Sequence, residues 1–365
     1  MGWKSTVVEM VPFAAMVIAE CLDVGLTTLS KAAMSKGMSR FVLVVYSNAL
    51  ATLILLPLSF IFERTKRPPL SCSLLCKFFL LSLVGISIMQ NCVFTGIDYS
   101  SPTLGSAMCN LIPAFTFLLA VIFRMEKLNL RSSTSQIKIL GTLVSITGAL
   151  IVTLYKGPPI GSFAVKSFSP SFKSSQQFSM PFSYVLATRN NWLVGGLFFA
   201  AASLSVSLWN ISQAALLKGY PSELTVVAFY CLFGSIQCAA VSLIAERNNP
   251  NAWKLRPDIE LVTVIYSAVF GSVMTFCVQT WCIRKKGPVF VAMFKPLSIA
   301  IAALLSVIIL GDTLHVGSLI GAAIIVVGFY GVIWAKSSEV RENYQVDALH
   351  SSADKQPLLQ SYTGA

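Results

Sequence analysis

The chain has 365 residues, 55% of them hydrophobic and only 12% charged, with a formal net charge of +12. Soluble domains carry about 25% charged residues, so a single water-soluble core is excluded. The positive charge sits mostly in loops between apolar runs, which calls for no nucleic-acid partner and suits contact with anionic lipid heads.

Ten stretches are apolar over roughly 20 residues, enough to cross a bilayer. They lie near 10–30, 41–62, 75–97, 103–123, 137–155, 192–212, 224–245, 260–282, 289–310 and 316–335. Lipid offers no hydrogen bonds to the backbone, so each stretch is predicted to be a helix. The fold class is therefore an all-α membrane protein.

The first span contains Glu20, Asp23 and Thr27 at i, i+3 and i+7, one face of a helix. It is long, holds two carboxylates and lacks a small-residue cleavage site, so it is expected to be retained as a span. Two carboxylates in hydrocarbon point to proton coupling or cation binding. The competing reading is neutralisation by a neighbour such as Lys31 or Lys295. Further along come Asn48 in the second span and Gln90 with Asn91 in the third. Asn110 lies in the fourth, just before Pro113. Gly141 and Gly148 in the fifth span suit close helix packing.

Residues 157–190 contain no Asp or Glu and many Ser, Phe and Pro, and are expected to form an irregular connector. The sixth span brings Trp209, Asn210 and Gln213, the seventh Gln237, the eighth Gln279 and Trp281. Amides suit small polar solutes, and they equally serve as glue between helices. In the ninth span Lys295 stands directly before Pro296. Proline frees a carbonyl on the preceding turn, and broken helices commonly build transporter sites. A cation there could hold a substrate carboxylate, or it could snorkel to the headgroups. Gly321 and Gly328 fall in the tenth span. Residues 337–365 read as a flexible polar tail.

The two halves repeat each other. Residues 87–95 and 272–280 share Ser87/Ser272, Met89/Met274, Cys92/Cys277, Val93/Val278 and Thr95/Thr280. Lys36-Gly37 recurs as Lys218-Gly219, Glu63-Arg64 as Glu246-Arg247, and Pro113 as Pro296. Each repeat holds five spans, an odd number, so the halves must be inverted relative to each other. An even total puts both termini on one side. With that side cytoplasmic, 16 of the 27 Lys and Arg are cytoplasmic, which agrees with the positive-inside bias. The expected units are a first repeat over 7–156, the connector 157–190, a second repeat over 191–336 and the tail 337–365.

Several chemistries have no residues to carry them. There is no Gly-x-x-x-x-Gly-Lys-Ser/Thr phosphate loop. The two histidines, His315 and His350, assemble no catalytic set. Cys72 and Cys76 lack a second ligand pair, so no metal site is expected, and no cofactor. The chain reads as no enzyme.

Certain stretches resemble a known family. They are Ser30-Lys31-Ala32-Ala33 with Ser35-Lys36-Gly37-Met38, the run from Asn110 to Phe117, and Phe123 to Leu128. Gly287 to Val291 and Phe294-Lys295-Pro296-Leu297 complete the set. They are similar to plant nodulin-like EamA-type transporters, the UMAMIT or Walls-are-thin-related family of the drug/metabolite transporter superfamily. The resemblance covers about 7–336. It implies ten helices in two EamA repeats and movement of small organics, mainly amino acids, with auxin for at least one branch. Lys295 and Asn110 match its pattern. Glu20 and Asp23 depart from it, since members often carry Gln and an aromatic residue there.

The expected function is thus secondary transport of a small organic solute, amino acids first, with protons as a possible coupling ion. The substrate pathway is expected to use Asn110, Lys295, Gln90, Asn91, Trp209, Asn210, Gln213, Gln279 and Trp281, and proton coupling to use Glu20 and Asp23. Auxin or another organic anion is the alternative cargo. A non-transporting scaffold or receptor is the alternative of another class, disfavoured because a scaffold gains nothing from a polar core. The family default is the plasma membrane. Asp354-Lys355-Gln356-Pro357-Leu358-Leu359 resembles a di-leucine sorting signal, which would direct protein to the vacuolar membrane or endosomes.

Overall fold

Backbone groups that cannot reach water must bond within their own segment, and every span is helical. The computed structural model describes residues 3–63, 70–100, 102–126, 132–155, 189–247, 250–310 and 316–353. Ten membrane-length helices lie among them: α1 (Met10–Ser35), α2 (Arg40–Phe62), α3 (Cys72–Tyr99), α4 (Leu104–Ile122), α5 (Ser133–Leu154), α6 (Leu193–Gly219), α7 (Glu223–Ala245), α8 (Ile259–Lys286), α9 (Pro288–Leu305) and α10 (Val316–Ala335). The described residues contain no strand. Large apolar side chains such as Leu53, Ile61, Leu197 and Ile244 point outward, as a lipid-facing surface requires.

Several helices outrun the apolar stretches that predict them, α1 and α6 by the most. α1 continues through Lys31 to Ser35, and α6 through Gln213 to Gly219. Hydropathy marks where hydrocarbon ends, whereas the helix ends where its caps do. Gly37 (φ 101°) terminates α1, with Met38 N–H donating to the Ala33 carbonyl. Such a left-handed φ is accessible to glycine without strain. Gly287 (φ 91°) makes the sharp joint between α8 and α9.

The tail differs from expectation. The helix containing α10 runs unbroken from Val316 to Ala353, so residues 337–353 are helical, not flexible coil. That segment contains no proline or glycine and several good helix formers, Glu, Arg, Gln, Leu and Ala. The di-leucine run lies outside the described residues, as does the connector except Arg189 and Asn190.

Packing follows an approximate twofold between the halves. α2 pairs with α7 and α5 with α10. α1 packs on α8 and α9, while α6 packs on α3 and α4. Local irregularities recur too. A π-helical stretch occupies Leu83–Ile88 in α3 and Ser267–Thr275 in α8. α4 breaks at Asn110–Leu111 and α9 at Met293–Phe294. Measured from these breaks and the prolines after them, Lys295 corresponds to Ile112 and Asn110 to Met293.

Each end of the α2–α7 pair is fastened by a repeated glutamate. Glu63, at the end of α2, accepts from Leu224 N–H, Thr225 N–H (2.9 Å), Thr225 Oγ1 (2.8 Å) and Ser222 Oγ at the start of α7. Glu246, at the end of α7, accepts from Ser39 Oγ (2.6 Å) at the start of α2. Carboxylates satisfy free N–H groups at a helix start and suit its positive end. Nearby, Lys36 donates to Asp258 (2.7 Å), which holds the Asp258 carboxyl below the usual carboxylate range.

α5 and α10 meet backbone to backbone. A Cβ on Gly141 would lie 2.7 Å from the Gly328 carbonyl oxygen, and one on Gly321 2.7 Å from that of Gly148. The four glycines therefore set the spacing of this pair. Gly328→Ala should force the helices apart and cost about 1–3 kcal/mol, the range for overpacking. A lower thermal unfolding temperature in detergent, with Gly331→Ala near wild type because its Cβ has room, checks this.

Candidate functional site

Three charged side chains meet where α1 crosses α9. Glu20 lies ten residues into α1, about 15 Å along its axis and near the middle of a hydrocarbon layer about 30 Å thick. Its side chain is 1% exposed. Lys295 Nζ donates to Glu20 Oε2 at 3.2 Å and lies 3.2 Å from Oε1, which gets no hydrogen bond. The same ammonium is 3.5 Å from Asp23 Oδ2. Lys295 thus turns into the protein and does not snorkel. It also proves to be the counter-charge of the acidic pair. Lys31 stands exposed farther up α1.

The break in α9 explains why the triad forms here. Lys295 opens the second half-helix, Lys295–Leu310, where Pro296 fits because the first turn needs no N–H partner. A helix start carries partial positive charge. A lysine there is unfavourable until carboxylates face it, and α1 supplies two. The i, i+3 spacing of Glu20 and Asp23 aims both at one ammonium.

Exposure changes sharply along the α1 face that carries the acids. Toward the chain termini, Met16 is fully buried. Phe13 packs edge-on against Phe290 at 4.9 Å, Phe290 against Phe294 at 5.1 Å, and Phe294 against Phe329 at 4.7 Å. Toward the α1–α2 loop, Asp23 is 43% exposed on its side chain, and Thr27 and Lys31 are open. The α1 face is therefore packed with aromatic rings on one side of the triad and exposed on the other. Alternating hydropathy gave no sign of this packing, because its rings come from three helices.

The other predicted residues distribute as follows. Asn110 is buried at the α4 break, donating to the Ser106 carbonyl at 3.3 Å, and its Oδ1 has no partner. Gln90 and Asn91 are not brought to it. They line a crevice with Phe41, Val44 and Cys238, between α2, α3 and α7. Trp209 is buried against Tyr230 and Phe276, with its Nε1 unpartnered. Gln213 Nε2 donates to Thr280 Oγ1 at 2.7 Å, tying α6 to α8. Asn210 and Gln279 are buried, and Trp281 packs at the edge of the main core. Gln237 bridges α7 to α3, accepting from Ser87 and donating to the Phe79 carbonyl. Among the described residues, no group of three or more His, Cys, Asp or Glu could hold a metal ion.

Comparison with known proteins matches both halves, residues 13–154 and 193–334, to the EamA-like transporter family. The chain belongs to this family. Its relatives include two Arabidopsis thaliana proteins. WAT1-related protein At3g28050 is 46% identical over 97% of this chain and 96% of its own length. WAT1-related protein At5g40240 is 48% identical over 93% and 90%. A solved crystal structure, 15% identical, aligns with a TM-score of 0.64 over 89% of this chain and 99% of that one, a likeness of fold. The chain is thus an integral membrane transporter of small solutes from the plant EamA-type family, with two inverted five-helix repeats.

Coupling within the triad is measurable. Lys295→Met should lower the thermal unfolding temperature by stranding the buried Glu20 carboxylate. Adding Glu20→Gln should recover part of that loss, with a coupling of about 0.5–3 kcal/mol for contacting residues. Additive losses in the double variant would show that the two side chains act independently.

Proposed function

We propose that this transporter carries amino acids by alternating access, and that the Lys295–Asp23–Glu20 triad is its solute and proton site. One observation carries the reading: an ammonium and a half-exposed carboxylate stand 3.5 Å apart at a helix break, on the exposed side of the aromatic packing. An α-amino acid bears the complementary pair. Its carboxylate meets Lys295 and the start of the half-helix, and its ammonium meets Asp23. With Glu20 ionised the site has one positive and two negative charges. An organic anion such as auxin would add a further negative charge and offer no amine to Asp23, so the geometry favours the zwitterion.

Glu20 and Asp23 compete with the solute carboxylate for Lys295. A proton on either acid frees the ammonium, which links proton and solute binding. Asn110, with its unpartnered Oδ1 at the α4 break, is the proposed additional polar contact. Asn210, Trp209, Gln279 and Trp281 belong to the proposed pathway, deeper among α6 and α8. Gln213, Gln90 and Asn91 serve helix packing in this reading. Inverted repeats exchange roles between two states. In this reading the exposed side of the triad, toward the α1–α2 loop, is the outward entrance, with both termini cytoplasmic as the basic loops favour. The plasma membrane is the proposed location.

Flux in proteoliposomes tests the reading. Labelled amino acid should enter saturably and faster under an inward proton gradient, and Lys295→Ala should abolish the saturable component while leaving reconstitution intact. Asp23→Asn should reduce the preference for an amino acid over its deaminated acid, and Glu20→Gln should weaken gradient dependence more than exchange at equal pH. Saturable auxin flux without amino-acid flux would overturn the assignment.

A further inference from the structure

A second site lies away from the triad. Near the membrane surface on the side of the termini, α3 and α6 separate and leave a groove of about 340 Å³. It is lined by Lys77, Leu80, Leu81, Val84, Ser212 and Ala215. The groove belongs to an outward face of α6 that continues through Leu204, Ala201 and Leu197, all exposed. This is a lipid-facing surface, about a quarter-turn or more round the helix from Ser203 and Ser207, which bond into α4.

The internal repeat acts as a control. At the offset of 185 residues that relates the repeated motifs, Lys77 corresponds to Val262 and Leu81 to Tyr266. In that related seam, between α8 and α1, the Tyr266 ring lies across Gly25 and its hydroxyl donates to the Leu22 carbonyl at 3.4 Å. There a ring occupies the seam and the position of Lys77 is held by an apolar residue. At α3 and α6 it is unfilled and has a lysine at its mouth.

We infer that this groove binds one anionic phospholipid of the leaflet on the side of the termini, with an acyl chain along Leu80, Leu81 and Val84 and the phosphate on Lys77. Depth and charge both fit. Lys77 is two residues into the apolar stretch 75–97 and Ser212 closes the stretch 192–212, so both stand at the edge of the hydrocarbon. The ammonium can reach the headgroup layer along its stem, and the Ser212 hydroxyl stands nearer the ester linkages. From Lys77 to Val84 the groove follows about 10 Å of helix, matching the course of a chain along the bilayer normal. The α2–α3 connection adds Arg64, Lys66 and Arg67 in sequence, which raises the local preference for anionic lipid.

The test is retention of lipid by the full-length protein, purified from nanodiscs of equal phosphatidylcholine and phosphatidylglycerol and read by native mass spectrometry. Wild type should retain one phosphatidylglycerol in preference to phosphatidylcholine. Lys77→Ala should lower that preference about fivefold, the ratio for about 1 kcal/mol per basic residue at an anionic surface. Ala215→Phe, an exposed position that fills the groove, should remove the retained lipid without lowering the unfolding temperature in lipid-free detergent. An unchanged preference in Lys77→Ala, or unchanged retention in Ala215→Phe, would overturn the site. So would displacement of the lipid by transported amino acid, which would make the groove part of the solute route.

Discussion

A lysine ammonium at this depth in a bilayer needs a counter-charge, and the arrangement of the central helices answers that need. Lys295 starts a half-helix whose own dipole repels it. Its position is tenable because α1 delivers Glu20 and Asp23 to it within 3.5 Å. That contact joins α1 to α9, and α1 in turn packs Phe13 among aromatic rings on one side of the triad and exposes Asp23 and Thr27 on the other.

Around this centre the two repeats supply a frame that is nearly symmetric. Glu63 and Glu246 fasten opposite ends of the α2–α7 pair, and the glycine contacts lock α5 to α10. The departures from symmetry fall elsewhere, and they are the informative ones. Lys295 stands where the break register of the other half has Ile112. The Tyr266 ring fills a seam whose relative is a groove edged by Lys77. The frame is thus symmetric, while its charged and ring-filled inserts are not.

Much of the architecture was legible from the residues. Length and apolarity gave ten spans because hydrocarbon thickness fixes helix length, and the odd count per repeat required inversion. The glycines and the prolines were readable as close packing and broken helices, since backbone sterics are local. The role of the amides was less legible. Gln237 bonds across helices through both ends of its amide, Gln213 bonds across through Nε2 alone, and Gln213, Asn110 and Asn210 each keep an unpartnered oxygen, differences that nothing in their spacing records. Residues 337–353 looked like coil because they are polar, yet they extend a helix already nucleated in α10 and contain no proline or glycine to stop it.

By itself the sequence determined the class of the molecule, its span number, its inverted repeat and the presence of charge inside the membrane, because each of these follows from local composition and spacing. Tertiary structure decided which cation neutralises which acid, which side of the triad is closed, and which amides bridge helices. Those outcomes depend on contacts such as Lys295 with Glu20, 275 residues apart, and Phe13 with Phe290, where the partner is chosen by packing and no local pattern records it.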